Sequence, residues 1–455
     1  MSKYLSLCIF AVLFAQNISW AISFTTQAEV DAFDSTRTSI IGDLIISRSS
    51  GDDQVVDLSN LSNLTSIGGD IRIVSTDVLQ NLDGLDNITH VGGGLLITRN
   101  ASLLNIDGLS NINRVEFELQ IGYNASLLNI HGLAGLTSVG WDIEILSNAS
   151  LENLMGMENL TTIDNLLLHS NDALLNLNGL NNLTTIDELF ILSNDALRDL
   201  TGLENLTSVG HFVVTSNENI ESLSGLESPI EIEEMKINNN RKLLNLNGLE
   251  NIISIGQSLT IEDNWDLRNI DGLSNLASVG HDLSILTNND LLDIDGLSNL
   301  VNVGHDLIIS NNNFLQNVNG LSKIISLPHS FEITNNNRIQ NLNGLANLTS
   351  VGSFFVIRSN DGLQNLDSLI NLTNIEESLW ISGNDGLKNI DGLSNLTSIG
   401  RTLSIKDNIG LQNVNGLVNI QSIGDNFEIS DNNSLQNIDS LLAVSYTHLT
   451  LPTKA

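Results

Sequence analysis

The segments NIDGLSNLASVG at 269–280, DIDGLSNLVNVG at 293–304, NLNGLANLTSVG at 341–352 and NIDGLSNLTSIG at 389–400 are near-copies of one phrase. A chain that rewrites a phrase at fixed intervals cannot fold around one central core. It must stack like units, each burying its apolar face on the next. With the leucine of the Gly-Leu pair as origin, Leu61, Leu85, Leu109, Leu133, Met157, Leu180, Leu203, Leu226, Leu249 and Leu273 head successive units, and the series continues to Leu417. The interval is 24 residues, shortened to 23 for the four units between Met157 and Leu249. An earlier unit at 40–46, IIGDLII, brings the total to about seventeen coils.

In the unit headed by Leu273 the apolar residues are Leu273, Leu276, Val279, Leu283, Ile285, Leu291 and Ile294. The pair Leu283/Ile285 alternates with polar neighbours, which marks a strand with one face inward. The other apolar positions lie three apart and are interrupted by Gly and Asn, so they read as short extended segments meeting at corners. The whole is expected to be an all-β parallel solenoid. The recurrent glycine (Gly84, Gly108, Gly272, Gly392) is expected at a sharp turn with positive φ, with Ser368 and Ser440 its rare substitutes. One asparagine recurs unbroken across fifteen coils: Asn100, Asn124, Asn148, Asn171, Asn194, Asn217, Asn240, Asn264, Asn288, Asn312, Asn336, Asn360, Asn384, Asn408 and Asn432. Stacked carboxamides can bond to one another and to buried backbone groups, so this row reads as a structural ladder.

The segment 1–21, with Lys3, an apolar run and a small-residue exit, reads as a signal peptide cleaved after Ala21. Residues 22–37 read as an N-terminal cap. There Thr26 and Glu29 have the spacing of a capping box and start a short helix over the first coil. The repeats occupy 38–441, and 442–455 abandons the phrase and resembles the translation of a sequencing adaptor, hence a non-native tail. The sole cysteine, Cys8, lies in the leader, which leaves the exported chain without disulfide or thiolate chemistry. No later apolar run approaches the roughly 20 residues that span a bilayer. With 53 acidic and 18 basic residues the net charge is −35, which repels phosphate backbones, so nucleic acid is not an expected partner.

Units such as GLSNLTSIGRTLSIKDN and GLSNLVNVGHDLIISNN resemble the receptor L-domain branch of leucine-rich repeats, in particular secreted bacterial surface proteins built from such units. The resemblance spans roughly 38–441. It implies a right-handed parallel β-solenoid of 23–24-residue coils, and a surface of the kind L domains use to bind protein ligands. The absence of cysteines and the larger number of coils depart from receptor L domains.

Motifs for nucleophiles, phosphate loops and zinc are absent, and no cofactor or metal is expected. His281, His305 and His329 share one position in successive coils. Parallel side chains diverge rather than converge on an ion, so they read as a solvated corner. Sequons at Asn63, Asn87, Asn100, Asn159, Asn205, Asn347 and Asn395 arise from the repeat phrase itself. The informative irregularity is on the outward strand face, where most coils place residues such as Glu144, Lys236, Thr260, Ser284, Glu332, Ser404 and Glu428. The middle coils place Leu146, Leu167, Phe190, Leu192 and Val213 there instead. They form either a docking patch or a local register in which some turn inward. The function expected is a non-enzymatic, secreted or cell-surface recognition or adhesion module for extracellular protein or glycan. The alternative is a polysaccharide-lyase-like enzyme, for which the nearest basic cluster is Lys236, Arg241 and Lys242, without acidic partners at matching positions.

Overall fold

The computed structural model describes residues 21–48, 50–438 and 445–450. It is a parallel β-solenoid of about 17 turns with almost no helix. The leader lies outside the described residues apart from Ala21. Of the tail, only the strand Ser445–Thr450 is described, parallel to Ser422–Ser430 with a register shift between Ile423 and Asn426. Two compact units divide the chain, the first ending at Glu144 and the second beginning at Ile145.

In the first unit one parallel ribbon runs through Ile22–Phe24, Leu44–Ser47, Ile71–Val74, Leu95–Thr98 and Leu119–Gly122. A second ribbon is made of two-residue strands from Ser39–Ile40 to Ser138–Val139. The helix Gln27–Asp31 begins at Thr26, whose hydroxyl accepts from the Glu29 N–H while the Glu29 carboxylate accepts from the Thr26 N–H. Asn60 donates to the carbonyls of Val30 and Phe33, tying the helix to the following coil.

In the second unit all seven apolar side chains of the coil headed by Leu273 are fully buried. Their equivalents in later coils lie over them: Leu283 pairs in register with Leu307, Leu307 with Phe331, and Phe331 with Phe355. A one-residue change in coil length alters the strand pattern. In the 24-residue coils Val279 and Leu283 are four apart, and a bend separates Ser278–Val279 from Leu283–Leu286. In the 23-residue coils Ile163 and Leu166 are three apart and the bend is lost. Single eight-residue strands result: Thr162–His169, Thr185–Leu192, Ser208–Thr215 and Glu231–Asn238.

Two expectations about the corners need correction. Many corners are not extended but 3₁₀ turns, as at Asp271–Leu273 and Asp295–Leu297. The Leu297 N–H donates to Ile294 and the Leu300 N–H to Leu297, so apolar residues three apart fall on the buried side of a three-residue repeat. The recurrent glycine has positive φ at Gly84 and at five positions from Gly156 to Gly248, but not at Gly108, Gly272 or Gly392. There the requirement is clearance: a Cβ on Gly108 would overlap the Leu82 carbonyl, and one on Gly272 the Leu246 carbonyl.

The regular left-handed position is instead the residue immediately before each ladder asparagine, for example Ser193, Asp263 (φ 55°) and Thr287 (φ 57°), with Gly383 in one coil. Outside glycine this conformation costs about 1–2 kcal/mol, and least for Asn and Asp. Thr287→Gly is therefore expected to stabilise the protein by about 0.5–1 kcal/mol, offset in part by the glycine's greater unfolded-state entropy. Chemical denaturation would show this as a higher midpoint at unchanged slope, and a lower midpoint would mean the Thr287 side chain contributes more than its backbone strain costs.

Candidate functional site

The buried corner after each main strand is closed by the asparagine row, all fifteen members of which are buried. Asn264 shows the pattern. Its Oδ1 accepts from the Asn240 N–H (3.1 Å) and Nδ2 (3.3 Å), and its Nδ2 donates to the Ile237 carbonyl (3.0 Å) and to Asn288 Oδ1 (3.2 Å). No free donor or acceptor faces a ligand there. A second set of asparagines, within the sequons, also bridges coils: the side chains of Asn63, Asn87, Asn205, Asn347 and Asn395 donate to carbonyls of the preceding coil. Asn100, a sequon in sequence, is a buried ladder member.

The three histidines do not splay apart as expected. Their rings stack, His281 on His305 at 4.4 Å and His305 on His329 at 3.7 Å. The cause is the aspartate beside them. Asp282 Oδ1 accepts the Asp306 N–H (3.0 Å) and lies 2.7 Å from His305 Nδ1, while Asp306 Oδ1 accepts the Ser330 N–H (3.0 Å) and lies 3.2 Å from His329 Nδ1. Partial burial pushes the Asp282 carboxyl up, but the Asp306 N–H and the His305 and His281 rings together hold it below its ordinary value. The donor atoms of His281, Asp282 and His305 lie within 4.8 Å of one another, as do those of His305, Asp306 and His329. With ring planes only 10° and 27° apart, each Nδ1 lies against a carboxylate, those of His281 and His305 on Asp282 and that of His329 on Asp306, and these contacts need Nδ1 to be the donor.

The proposed basic cluster is dispersed. Lys236 lies 3.7 Å from Glu262 on the strand face, Arg241 sits over the Trp265 ring, and Lys242 bonds to Asn219.

On the outward face of the main sheet, Leu167, Phe190 and Val213 occupy one register row on consecutive strands. Leu192 lies two residues beyond Phe190 and pairs with His169. Leu146 lies on the strand before His169, so His169 separates it from Leu192. None of the five turns inward: all are half-buried, and the inward places belong to Leu166, Leu168, Leu189, Ile191, Phe212 and Val214, which are fully buried. A polar row, Asn165, Glu188, His211 and Glu234, flanks the patch on one side, and Lys236 follows Val213. An apolar centre within a polar rim is the anatomy of an interaction surface.

A second feature of this face went unread in sequence. Farther along it, Trp380, Arg358, Ser382, Thr402, Ser404, Lys406, Asn426 and Glu428 line an open depression of about 490 Å³.

Seven-point apolar coils, 3₁₀ corners and an asparagine ladder define a β-solenoid of the leucine-rich-repeat type. No family model and no curated protein matches the sequence. Among solved structures, the chain is similar at 14% identity to one described as the TLR13–ssRNA13 complex, over 84% of this chain and 78% of that one, with a TM-score of 0.24. It is similar at 12% identity to a leucine-rich repeat protein from Bacteroides ovatus, over 90% of this chain and 92% of that one, with a TM-score of 0.21. At these scores the class rests on the coil's own geometry. Among the described residues no helix is long and apolar enough to cross a membrane.

Proposed function

We propose that the chain is a non-enzymatic recognition or adhesion module, secreted or held at a cell surface, which binds extracellular protein or glycan on the outward face of its main sheet. The observation that carries this reading is the row Leu167–Phe190–Val213, with Leu192 beside it, half-buried and contiguous on three consecutive strands of a face where most coils carry polar residues and apolar ones such as Ile308, Val356 and Trp380 occur in later coils. Such a patch gains by being covered. The receptor L-domain resemblance points the same way. In this reading the asparagine ladder is structural, the helix Gln27–Asp31 covers the first coil, 1–21 is a leader and 442–455 is foreign to the repeat. The lyase alternative is disfavoured by the engagement of Lys236, Arg241 and Lys242 with separate partners, since a base beside a uronate-neutralising cation needs those groups to converge.

The test is the double variant Phe190→Ser/Leu192→Ser, probed with the wild type on an array of extracellular proteins and glycans. Half-exposed cross-strand contacts contribute about 0.2–1 kcal/mol each, so melting should change little while captured partners are lost. A collapse in melting temperature, or an unchanged array profile, would refute the patch as a docking surface.

A further inference from the structure

The depression around Trp380 has a built asymmetry. Trp380 stacks on Phe354 of the preceding coil, with centroids 5.2 Å apart and planes 10° from parallel, so one indole face is covered. The opposite face looks toward the next coil, where the register partner of Trp380 is Ser404 and not another large side chain. A large ring followed by a small residue leaves an aromatic wall beside a polar floor. Ser382 and Ser404 are buried and Thr402 half-buried. The Ser404 and Ser430 hydroxyls donate to Glu428, which fixes that carboxylate on the far side.

Two cations border the same space. Arg358, Ser382 and Lys406 form one register row, which places the two charges two strands apart, roughly 10 Å between backbones. Arg358 Nε donates to Ser382 Oγ at 3.1 Å, which tethers the guanidinium without using its terminal nitrogens. Among the described residues no carboxylate lies within 4.0 Å of Arg358 or Lys406. Neighbouring Arg401, by contrast, reaches both Glu377 and Asp425. In a chain of net charge −35, two cations against the single Glu428 carboxylate give the lining of this depression a net positive charge.

We infer that this depression is a subsite for an acidic oligosaccharide, one carrying uronate carboxylates. The inference rests on the reading of the outward sheet face as a recognition surface and names a ligand class for one part of it. A pyranose presents an apolar, weakly positive C–H face that packs on the negative face of the indole. Hydroxyls on the ring edge meet Ser404, Thr402, Asn426 and the fixed Glu428 carboxylate, which can only accept. A uronate carboxylate takes the planar guanidinium of Arg358 in a two-point contact, and a second takes Lys406 as a point charge. The two-strand offset is comparable to two linked sugar rings. A neutral saccharide would leave both cations unmatched.

The experiment is calorimetric titration of the full chain with hexagalacturonate, and with maltohexaose as the neutral probe. Hexagalacturonate should bind saturably with a Kd of about 1 mM or tighter, and maltohexaose at least about tenfold more weakly. Trp380→Leu, which keeps an apolar partner for Phe354, should weaken hexagalacturonate about tenfold, and Arg358→Gln/Lys406→Gln should do the same and flatten the salt dependence. Phe190→Ser/Leu192→Ser should bind hexagalacturonate as the wild type does. Melting curves of each variant show that the fold is intact. No saturable binding, equal binding of maltohexaose, or wild-type binding by Trp380→Leu would each overturn the subsite. Loss of binding in the Phe190/Leu192 variant would also overturn it, by moving the saccharide to the apolar patch. A failed titration alongside array capture that depends on Phe190 leaves the recognition reading intact and removes only the acidic saccharide.

Discussion

Asn264→Ala is expected to destabilise the protein by about 1–3 kcal/mol, because it orphans one buried backbone donor. That donor is the Asn240 N–H, which loses its acceptor in Asn264 Oδ1; the Ile237 carbonyl also loses Asn264 Nδ2 but stays within the strand ladder opposite Ile261. Asn240 Nδ2 keeps the Val214 carbonyl and the Asn264 N–H keeps Asn288 Oδ1, so the damage does not run along the whole row. Each coil touches only its neighbours, so hydrogen exchange should accelerate first at the Asn240 amide and in the flanking strands. Asn264→Asp sharpens the test. The carboxylate can still accept from Asn240, but it has no donor for Ile237 and faces the oxygen of Asn288. A buried carboxylate so placed has its folded-state pKa raised above the unfolded value, so the loss grows as pH rises through the ordinary carboxylate range and shrinks in acid. Asn269→Ala is the control: half-exposed, it makes one cap bond to the Asp271 N–H and should lose no more than about 1 kcal/mol. Equal midpoints for Asn264→Ala and Asn269→Ala in urea would show that the ladder does not hold the coils.

The parts of the coil legible in sequence are those where one side-chain property recurs at one place. The inward pair Leu283/Ile285 and the column beneath it follow from period two and the coil length, and the ladder follows from an asparagine unbroken across fifteen coils, with Thr76 in its place in the coil before them. The 3₁₀ corners were encoded as well, in the run Leu291, Ile294, Leu297 and Leu300, but period three is easily taken for broken extended chain when no unit carries it far. The left-handed position escapes notice for the opposite reason. Its backbone is constant while its occupants include Ser, Arg, Tyr, Asn, Asp and Thr, so conformation is conserved along the stack and chemistry is not.

The candidate site divides along the same line. Phe190 and Leu192 stand out because they replace polar residues at positions of known facing. The Trp380 depression does not, since it is defined as much by the smallness of Ser404 and Thr402 as by Trp380 itself. A space left by one coil beside a ring on another depends on register, on the Phe354 stack and on the tether of Arg358 to Ser382. The alternation of a single strand contains none of these.

Gly320→Ala tests the corrected role of the recurrent glycine. The turn Asn319–Leu321 carries no positive φ at Gly320, so the backbone itself tolerates alanine. The methyl, however, would overlap the carbonyl of Ile294, which also accepts the Leu297 N–H in the corner of the preceding coil. Relief requires either the two coils to part, against the strand ladder and the ladder asparagines on either side, or the turn to change shape. We expect a loss of about 3 kcal/mol, near the top of the usual range for overpacking. Ser368 shows how the chain admits a Cβ at this place. Its 3₁₀ segment is lengthened to Asp367–Asn371, Leu369 leaves helical dihedrals, and the Ser368 hydroxyl donates to Asn343 Oδ1 at 2.9 Å. In the coil before Gly320 the position equivalent to Asn343 is Asp295, a stronger acceptor for the same bond. Gly320→Ser should therefore lose less stability than Gly320→Ala despite its larger side chain. Urea midpoints in the reverse order would show that volume alone decides the cost and that the hydroxyl finds no partner. Midpoints equal to wild type for both would mean the coils have slack at the corner, and the glycine would then need another explanation.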